Sequence, residues 1–168
     1  MRVILRPARS TDAGKLGEMI SSAVRDNDWK PQLHSAVEDI VHAGQMIDHG
    51  WVTVAARGQG GAVVGFIARN EDYVHALYIH PNTRGDGVGR MLIEDAQAAS
   101  DRLELWTFEA NAGARKFYER EGFTADRRTD GADNDEGLPD ILYVWERKPP
   151  VVPTRATAQT DRSQDPQT

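Results

Sequence analysis

The sequence contains no cysteine, which excludes disulfide cross-links, thiolate metal sites and redox chemistry at sulfur, and is compatible with a reducing compartment. No stretch approaches the roughly 20 apolar residues that a membrane-spanning helix requires. The opening MRVILRPARS is too short in its apolar part to act as a leader and lacks a small-residue cleavage site, so the expected location is cytoplasmic, with no membrane partner. Positive charge is not in excess either. A net charge of -6 gives no general attraction for phosphate backbones, points away from nucleic acid and favours a cationic ligand. His34, His42 and His49 recur at spacings of eight and seven, yet without cysteine or an H-E-x-x-H pattern no metal site is expected.

What the chain does contain is an ordinary globular composition, 39% hydrophobic and 27% charged over 168 residues, enough for one sizeable core. The reading is one domain over residues 1–148, followed from 149 to 168 by a polar, proline-containing tail without apolar periodicity, expected to be disordered. Val3 to Leu5 reads as a strand, and Ser10 or Thr11 caps a helix whose apolar face is Leu16, Met19, Ile20, Ala23 and Val24. After a polar connection bearing Trp29, the residues Leu33, Val37, Ile40 and Val41 predict the apolar face of a second helix ending near Gly50. Trp51 to Ala56 and Ala62 to Ala68 predict a hairpin around Gly58, Gly60 and Gly61, and Tyr73 to Ile79 a third strand stopped by Pro81. A helix led by Val88 and a strand at Leu103 to Thr107 follow, a strand-helix-strand unit of the kind that joins parallel strands. Another helix is closed by Gly122, and two final strands, Phe123 to Arg128 and Ile141 to Trp145, flank the polar loop TDGADNDEGLPD. Trp51, Trp106 and Trp145 fall in strand patterns and are expected in the core.

Two motifs carry chemistry. The turn RGDGVG, Arg84 to Gly89, lies between a predicted strand and a predicted helix, where several unpaired N–H groups and the helix dipole favour an anion. Gly85, Gly87 and Gly89 leave room for a diphosphate, and Arg84 offers a charged fork. Arg90 and Met91 after Gly89 exclude a P-loop, and Leu92 stands where a dinucleotide fingerprint needs its third glycine. The second motif is NAGARKFYEREGF. Asn111 and Tyr118 are seven residues apart, about two helical turns, and should share a face with Arg115 between them while Phe117 turns toward the core.

Together, LYIHPNTRGDGVGRMLIEDA and NAGARKFYEREGF resemble the signature of the GNAT superfamily, the Gcn5-related N-acetyltransferases. Arg84, Gly87 and Gly89 match its R/Q-x-x-G-x-G/A pattern. The resemblance implies an α/β (α+β) fold with a mixed, mostly antiparallel sheet of six to seven strands, a central parallel pair and about four flanking helices. It implies acetyl-CoA as co-substrate and an amine acceptor, most simply that of a small molecule. Protein lysine or N-terminal acetylation, a non-catalytic coenzyme A-binding module, and acetylation of aminoacyl-tRNA are the alternatives. A homodimer is compatible with it.

By the same resemblance, the backbone of Leu77, Tyr78 and Ile79 should bond the pantetheine arm. The amides of Arg84, Gly85, Asp86, Gly87, Val88, Gly89 and Arg90 should hold the pyrophosphate. Asn111 should bond the pantetheine or phosphate region, and Tyr118 should face the thioester sulfur as cofactor contact and catalytic acid, a phenol protonated at neutral pH. For the base, His75 is a candidate because alternation puts it on the face of Leu77 and Ile79. Glu71, Asp72, Glu104, Glu109 and a water relay remain open. Trp106 stands where N-terminal acetyltransferases of the superfamily commonly carry a glutamate, which weakens that substrate class. Trp29 with Asp26 and Asp28, and the acidic run Asp130, Asp133, Asp135 and Glu136, are candidates for receiving a cationic amine or are solvated loops.

Overall fold

A computed structural model describes residues 2–149. The tail expected from Pro149 onward lies, beyond that proline, outside the described residues. The chain forms strand β1 (Val3–Pro7), helices α1 (Ala13–Arg25) and α2 (Ala36–Asp48), and a meander β2 (Val52–Arg57), β3 (Val63–Asn70) and β4 (Tyr73–Ile79). Then follow α3 (Val88–Ala99), β5 (Arg102–Phe108), α4 (Ala112–Arg120), β6 (Thr124–Thr129) and β7 (Asp140–Glu146). These strands make one sheet in the order β1-β2-β3-β4-β5-β7-β6, antiparallel throughout except where β4 meets β5. The expected mixed sheet, parallel pair and four α-helices are all present.

The sheet separates two apolar layers. On one side Val88, Leu92, Ile93 and Ala96 of α3 pack with Tyr118 of α4 onto Ile67, Leu103, Leu105, Ile141 and Tyr143. On the other, Leu16, Met19 and Ile20 of α1 and Ala43 and Met46 of α2 cover Val52, Val54, Phe66 and Ala68. Each fully buried aliphatic side chain of this kind contributes about 1.5–3 kcal/mol.

The second helix differs from the sequence expectation in its face. Val37, Ile40 and Val41 of α2, with Leu33 before it, are exposed, whereas Asp39, Ala43 and Met46 are buried. The seam with α1 explains it. A Cβ on Gly17 would stand 2.6 Å from the Ile40 Cα, so the helices touch almost backbone to backbone and only a rotated α2 fits. In that seam the Ser21 hydroxyl donates to Asp39 at 2.5 Å, a buried polar pair that periodicity alone reads as a surface face. Ser35 starts α2 through a capping box, accepting from the Glu38 N–H at 3.1 Å while its own N–H donates to the Glu38 carboxylate at 2.9 Å.

The tryptophans depart from expectation as well. Trp51, Trp106 and Trp145 are only half-buried. Trp51 lies between the His49 and His75 rings, each at 4.5 Å, Trp106 lies under the Arg127 guanidinium at 5.5 Å, and Trp145 lies near that of Arg147 at 5.8 Å. Trp51 and Trp145 still pack against the edges of the two apolar layers, so only Trp106 stands apart from the core.

Candidate active site

The parallel pair is joined at one register point, Tyr73 opposite Glu104, with the Glu104 N–H donating to the Asp72 carbonyl at 2.8 Å. Beyond it the two strands part toward their C-terminal ends. His80 donates its N–H to Val64 of β3 at 2.8 Å, so alternation turns the N–H groups of Leu77 and Ile79 away from β3 and into the gap facing β5. A cleft of about 1250 Å³ opens from this gap. That exceeds the roughly 300–1,000 Å³ of ordinary small-molecule pockets and has room for an elongated ligand and a second reactant.

The glycine loop closes one end. Gly85 and Gly87 have φ of +87° and +82°, the left-handed region that glycine enters without steric cost. Gly87 caps α3, and the N–H groups of Val88, Gly89 and Arg90 donate to no backbone carbonyl among the described residues. They form an anion-binding helix start. Gly89 is needed for a different reason, since a Cβ there would press on the Phe117 ring at 3.3 Å. Arg84 is exposed with its guanidinium unpaired among the described residues, whereas Arg90 is tied to Glu94 at 2.7 Å. Backbone, glycines and Arg84 therefore suit a diphosphate, and the parted strands suit the extended arm of coenzyme A.

Asn111 and Tyr118 both line the cleft. Asn111 is the N-cap of α4, its side-chain oxygen accepting from the Ala114 N–H at 3.1 Å, so the NH2 end is what remains for a ligand. Tyr118 is the buried member of its pair and Phe117 the more open one, the reverse of the sequence expectation. The glycine after α4 is responsible. Phe123 folds back under the helix, its N–H donating to the Tyr118 carbonyl at 2.9 Å, and its ring packs edge-on to Tyr118 at 5.5 Å. The Tyr118 hydroxyl has no hydrogen-bond partner among the described residues, and burial, then the neighbouring Tyr78, push its pKa well above that of an ordinary phenol. Arg115 does not share the cleft. It points back, donating to the Glu109 carbonyl at 3.2 Å.

His75 is not on the face of Leu77 and Ile79. The β3–β4 register slips between Ala68 and Arg69, pairing them with Ala76 and Val74, so His75 is the extra residue of a bulge. Leu77 and Ile79 pack toward α3, while His75 stacks on Trp51 on the other side of the sheet. Its pKa is lowered by burial and by His42. His75 nonetheless lines the cleft, whereas Glu71, Asp72, Glu104 and Glu109 do not, and Glu104 is paired with Arg102 at 3.2 Å. Glu18, Asp26, Glu121 and Glu136 are the acids that do. Among the described residues no group of three or more potential ligands could hold a metal ion, and no helix is long and apolar enough to cross a membrane.

The other end of the cleft was only partly visible in the sequence. Trp29 meets Phe108 edge to face at 5.7 Å, and Lys30 stands 6.0 Å from the centres of both the Tyr78 and Phe108 rings. Burial, chiefly, with the charges of Asp39 and Glu136, pushes the Tyr78 phenol up to about 12. Lys30 and Phe108 carry no motif, and Tyr78 was expected only for its backbone. Their only sequence signal is proximity to Trp29 and to the strand ends. A second cavity of about 600 Å³, lined by Arg127, Thr129, Asp133 and Asn134, shares Trp106, Thr107, Phe108 and Glu136 with the first.

Known proteins match this architecture. The family model described as an acetyltransferase (GNAT) domain matches residues 48–125. The peptidyl-lysine N-acetyltransferase YjaB of Escherichia coli strain K12 is 32% identical over 115 residues, 67% of this chain and 76% of that protein. Its namesake from Salmonella typhimurium is 29% identical over 119 residues, 71% of this chain and 77% of the relative. In fold, the chain superposes on apo-form YjaB from Escherichia coli with a TM-score of 0.73 at 24% identity, covering 88% of this chain and all 100% of that one. It superposes on yncA from Salmonella typhimurium, solved with its cofactor acetyl-CoA, with a TM-score of 0.68 at 19% identity, covering 91% and 98% of the two chains. The parted strands, the glycine loop and these relatives lead to one conclusion: the chain belongs to the GNAT superfamily of acetyl-CoA-dependent N-acetyltransferases.

Proposed function

We propose that the protein transfers an acetyl group to the side-chain amine of lysine in a polypeptide, with Tyr118 as the proton donor to the leaving sulfur. The carrying observation is an unpartnered, proton-retaining Tyr118 hydroxyl in a cleft that runs from the glycine loop to an aromatic and acidic corner. Bound acetyl-CoA supplies an activated thioester, whose carbonyl carbon accepts an amine and whose sulfur leaves.

The chain's own groups do the rest. The amides of Arg84 to Arg90 with Arg84 itself would hold the pyrophosphate, and the N–H groups of Leu77 and Ile79 would bond the pantetheine arm. The Asn111 NH2 would steady the same arm. An amine must be neutral to attack, and a lysine ammonium of reference pKa about 10.4 must first lose a proton. Glu136 would draw that proton, directly or through water, since its charge reaches both Lys30 and Tyr78. Of the two N–H groups turned into the gap, the one beside the thioester would donate to its oxygen as charge develops on it, leaving the other for the arm.

A peptide acceptor is supported by the shared wall of the two cavities, which would let residues flanking a lysine continue past Phe108 toward Arg127 and Asp133. The peptidyl-lysine activity named for YjaB supports the same class. A compact free amine, the acceptor the sequence motifs suggest, would use only the Trp29 corner. Coenzyme A release measured with lysine peptides and with free amines separates the two. Peptides with acidic or basic flanks should differ in KM for the first reading, and an enzyme that turns over free amines while ignoring every peptide contradicts it.

A further inference from the structure

The corner that would receive an acceptor amine already holds one. Lys30 lies in the connection from residue 26 to 35, its backbone N–H donating to the Asn27 carbonyl at 3.0 Å, and its side chain reaches inward to the Tyr78 and Phe108 rings. A lysine normally keeps its head in water while its stem lies on apolar surface. This one lines the cleft, and its ammonium makes no ion pair or hydrogen bond among the described residues. Burial lowers its pKa, with Glu136 and then Asp39 opposing the shift, so more of it is neutral than of an exposed lysine. Tyr78 relates it to the reaction centre, because its ring centre is 6.0 Å from the Lys30 Nζ and its phenol helps to raise the Tyr118 pKa. Aromatic faces and nearby carboxylates are what an acceptor ammonium would seek, and Lys30 occupies them as an acceptor would.

We propose that Lys30 is an acceptor of the enzyme's own reaction, taking an acetyl group from acetyl-CoA held in the same molecule when no external amine fills the corner. The inference rests on the amine-transfer reading above. The Nζ lone pair forms a bond to the thioester carbonyl carbon, the C–S bond breaks, and the sulfur leaves as coenzyme A thiolate and is protonated. The nitrogen gives up its extra proton to Glu136 or water, and nothing is oxidised or reduced. Nε-acetyl-Lys30 has no charge and a larger head, so the modified enzyme should bind external amines more weakly: a brake set by the ratio of acetyl-CoA to acceptor.

The test is intact-mass and peptide mapping of the full chain incubated with acetyl-CoA alone. The sequence has four lysines, Lys15, Lys30, Lys116 and Lys148, so assignment is direct. Lys30 should gain one acetyl group ahead of Lys15, which also lines the cleft, and of Lys116 and Lys148, at a rate per molecule unchanged by dilution and suppressed by excess coenzyme A. Lys30→Arg should remove that product without moving it elsewhere, and preacetylated enzyme should show a raised acceptor KM. Turnover of an external amine with Lys30 left unmodified would overturn the proposal and leave the amine-transfer reading standing. Acetylation of Lys30 that coenzyme A does not suppress, or that matches Lys116 in rate, would also overturn it as solution chemistry. Loss of external turnover as well would sink the parent reading with it.

Discussion

In the half of the cleft proposed for coenzyme A, most of the groups on offer to a ligand belong to the backbone: the N–H groups that begin α3 and those of Leu77 and Ile79 in the gap beside β4. On the acceptor side they are side chains, Trp29, Lys30, Tyr78, Phe108 and Glu136, brought in by two loops and two strand ends. The first wall depends on dihedral angles that only certain residues tolerate, so its chemistry constrains sequence tightly. The second depends on which side chains happen to converge, and many sequences could build a comparable corner. The two walls should therefore fail differently when altered.

Among changes to the walls and the seam beneath them, the largest effect should come from breaking the backbone wall. Alanine at both Gly85 and Gly87 must hold φ near +87° and +82°, at about 1–2 kcal/mol each, so where the unliganded loop relaxes that strain the affinity for acetyl-CoA should fall by roughly five- to thirtyfold per substitution. Calorimetric titration of the folded variant checks this, and an unchanged affinity would detach the loop from coenzyme A. Next is the seam beneath the acceptor wall. Asp39→Ala leaves the Ser21 hydroxyl buried without its partner and should cost about 1–3 kcal/mol, read as a lowered denaturation midpoint with unchanged slope. The smallest effect is expected at the side-chain wall itself. Trp29→Ala removes an edge-to-face contact with Phe108, about 0.5–1.5 kcal/mol, and should raise the acceptor KM several-fold while acetyl-CoA affinity stays as it was. A change in acetyl-CoA affinity instead would merge the two walls into one site.

The same difference governs what could be read from the sequence. Gly85, Gly87 and Gly122 announce left-handed backbone, and Asn111 announces a helix start, so the loop, α3, α4 and the order of the strands were legible residue by residue. The α2 face was not, because Gly17 and the Ser21–Asp39 pair let polar and small residues occupy a helix seam that hydrophobic periodicity assigns to solvent. His75 misled for a related reason: strict alternation assumes an unbroken ladder, and one bulge carried it across the sheet to Trp51. Phe117 and Tyr118 exchanged depth because Phe123, folded back by Gly122, buries the tyrosine. The acceptor corner was legible only in fragments, Trp29 and Glu136 as candidates for a cationic amine, since Lys30, Tyr78, Phe108 and Glu136 are far apart in sequence and nothing in their spacing joins them.

The account turns on Tyr118. Its raised pKa means the native state keeps the phenolic proton while an unfolded chain would lose it near the ordinary phenol value of about 10. Below that pH the shift contributes nothing to stability and the rate should show no alkaline loss from Tyr118; above it, stability should decline as the unfolded state ionises first. The most direct test is coenzyme A release by Tyr118→Phe beside its affinity for acetyl-CoA. Tyr118→Phe should bind acetyl-CoA as the unaltered protein does and release coenzyme A about a hundredfold or more slowly in the presence of an amine. Release at the unaltered rate, with binding intact, would contradict the assignment of Tyr118 as proton donor.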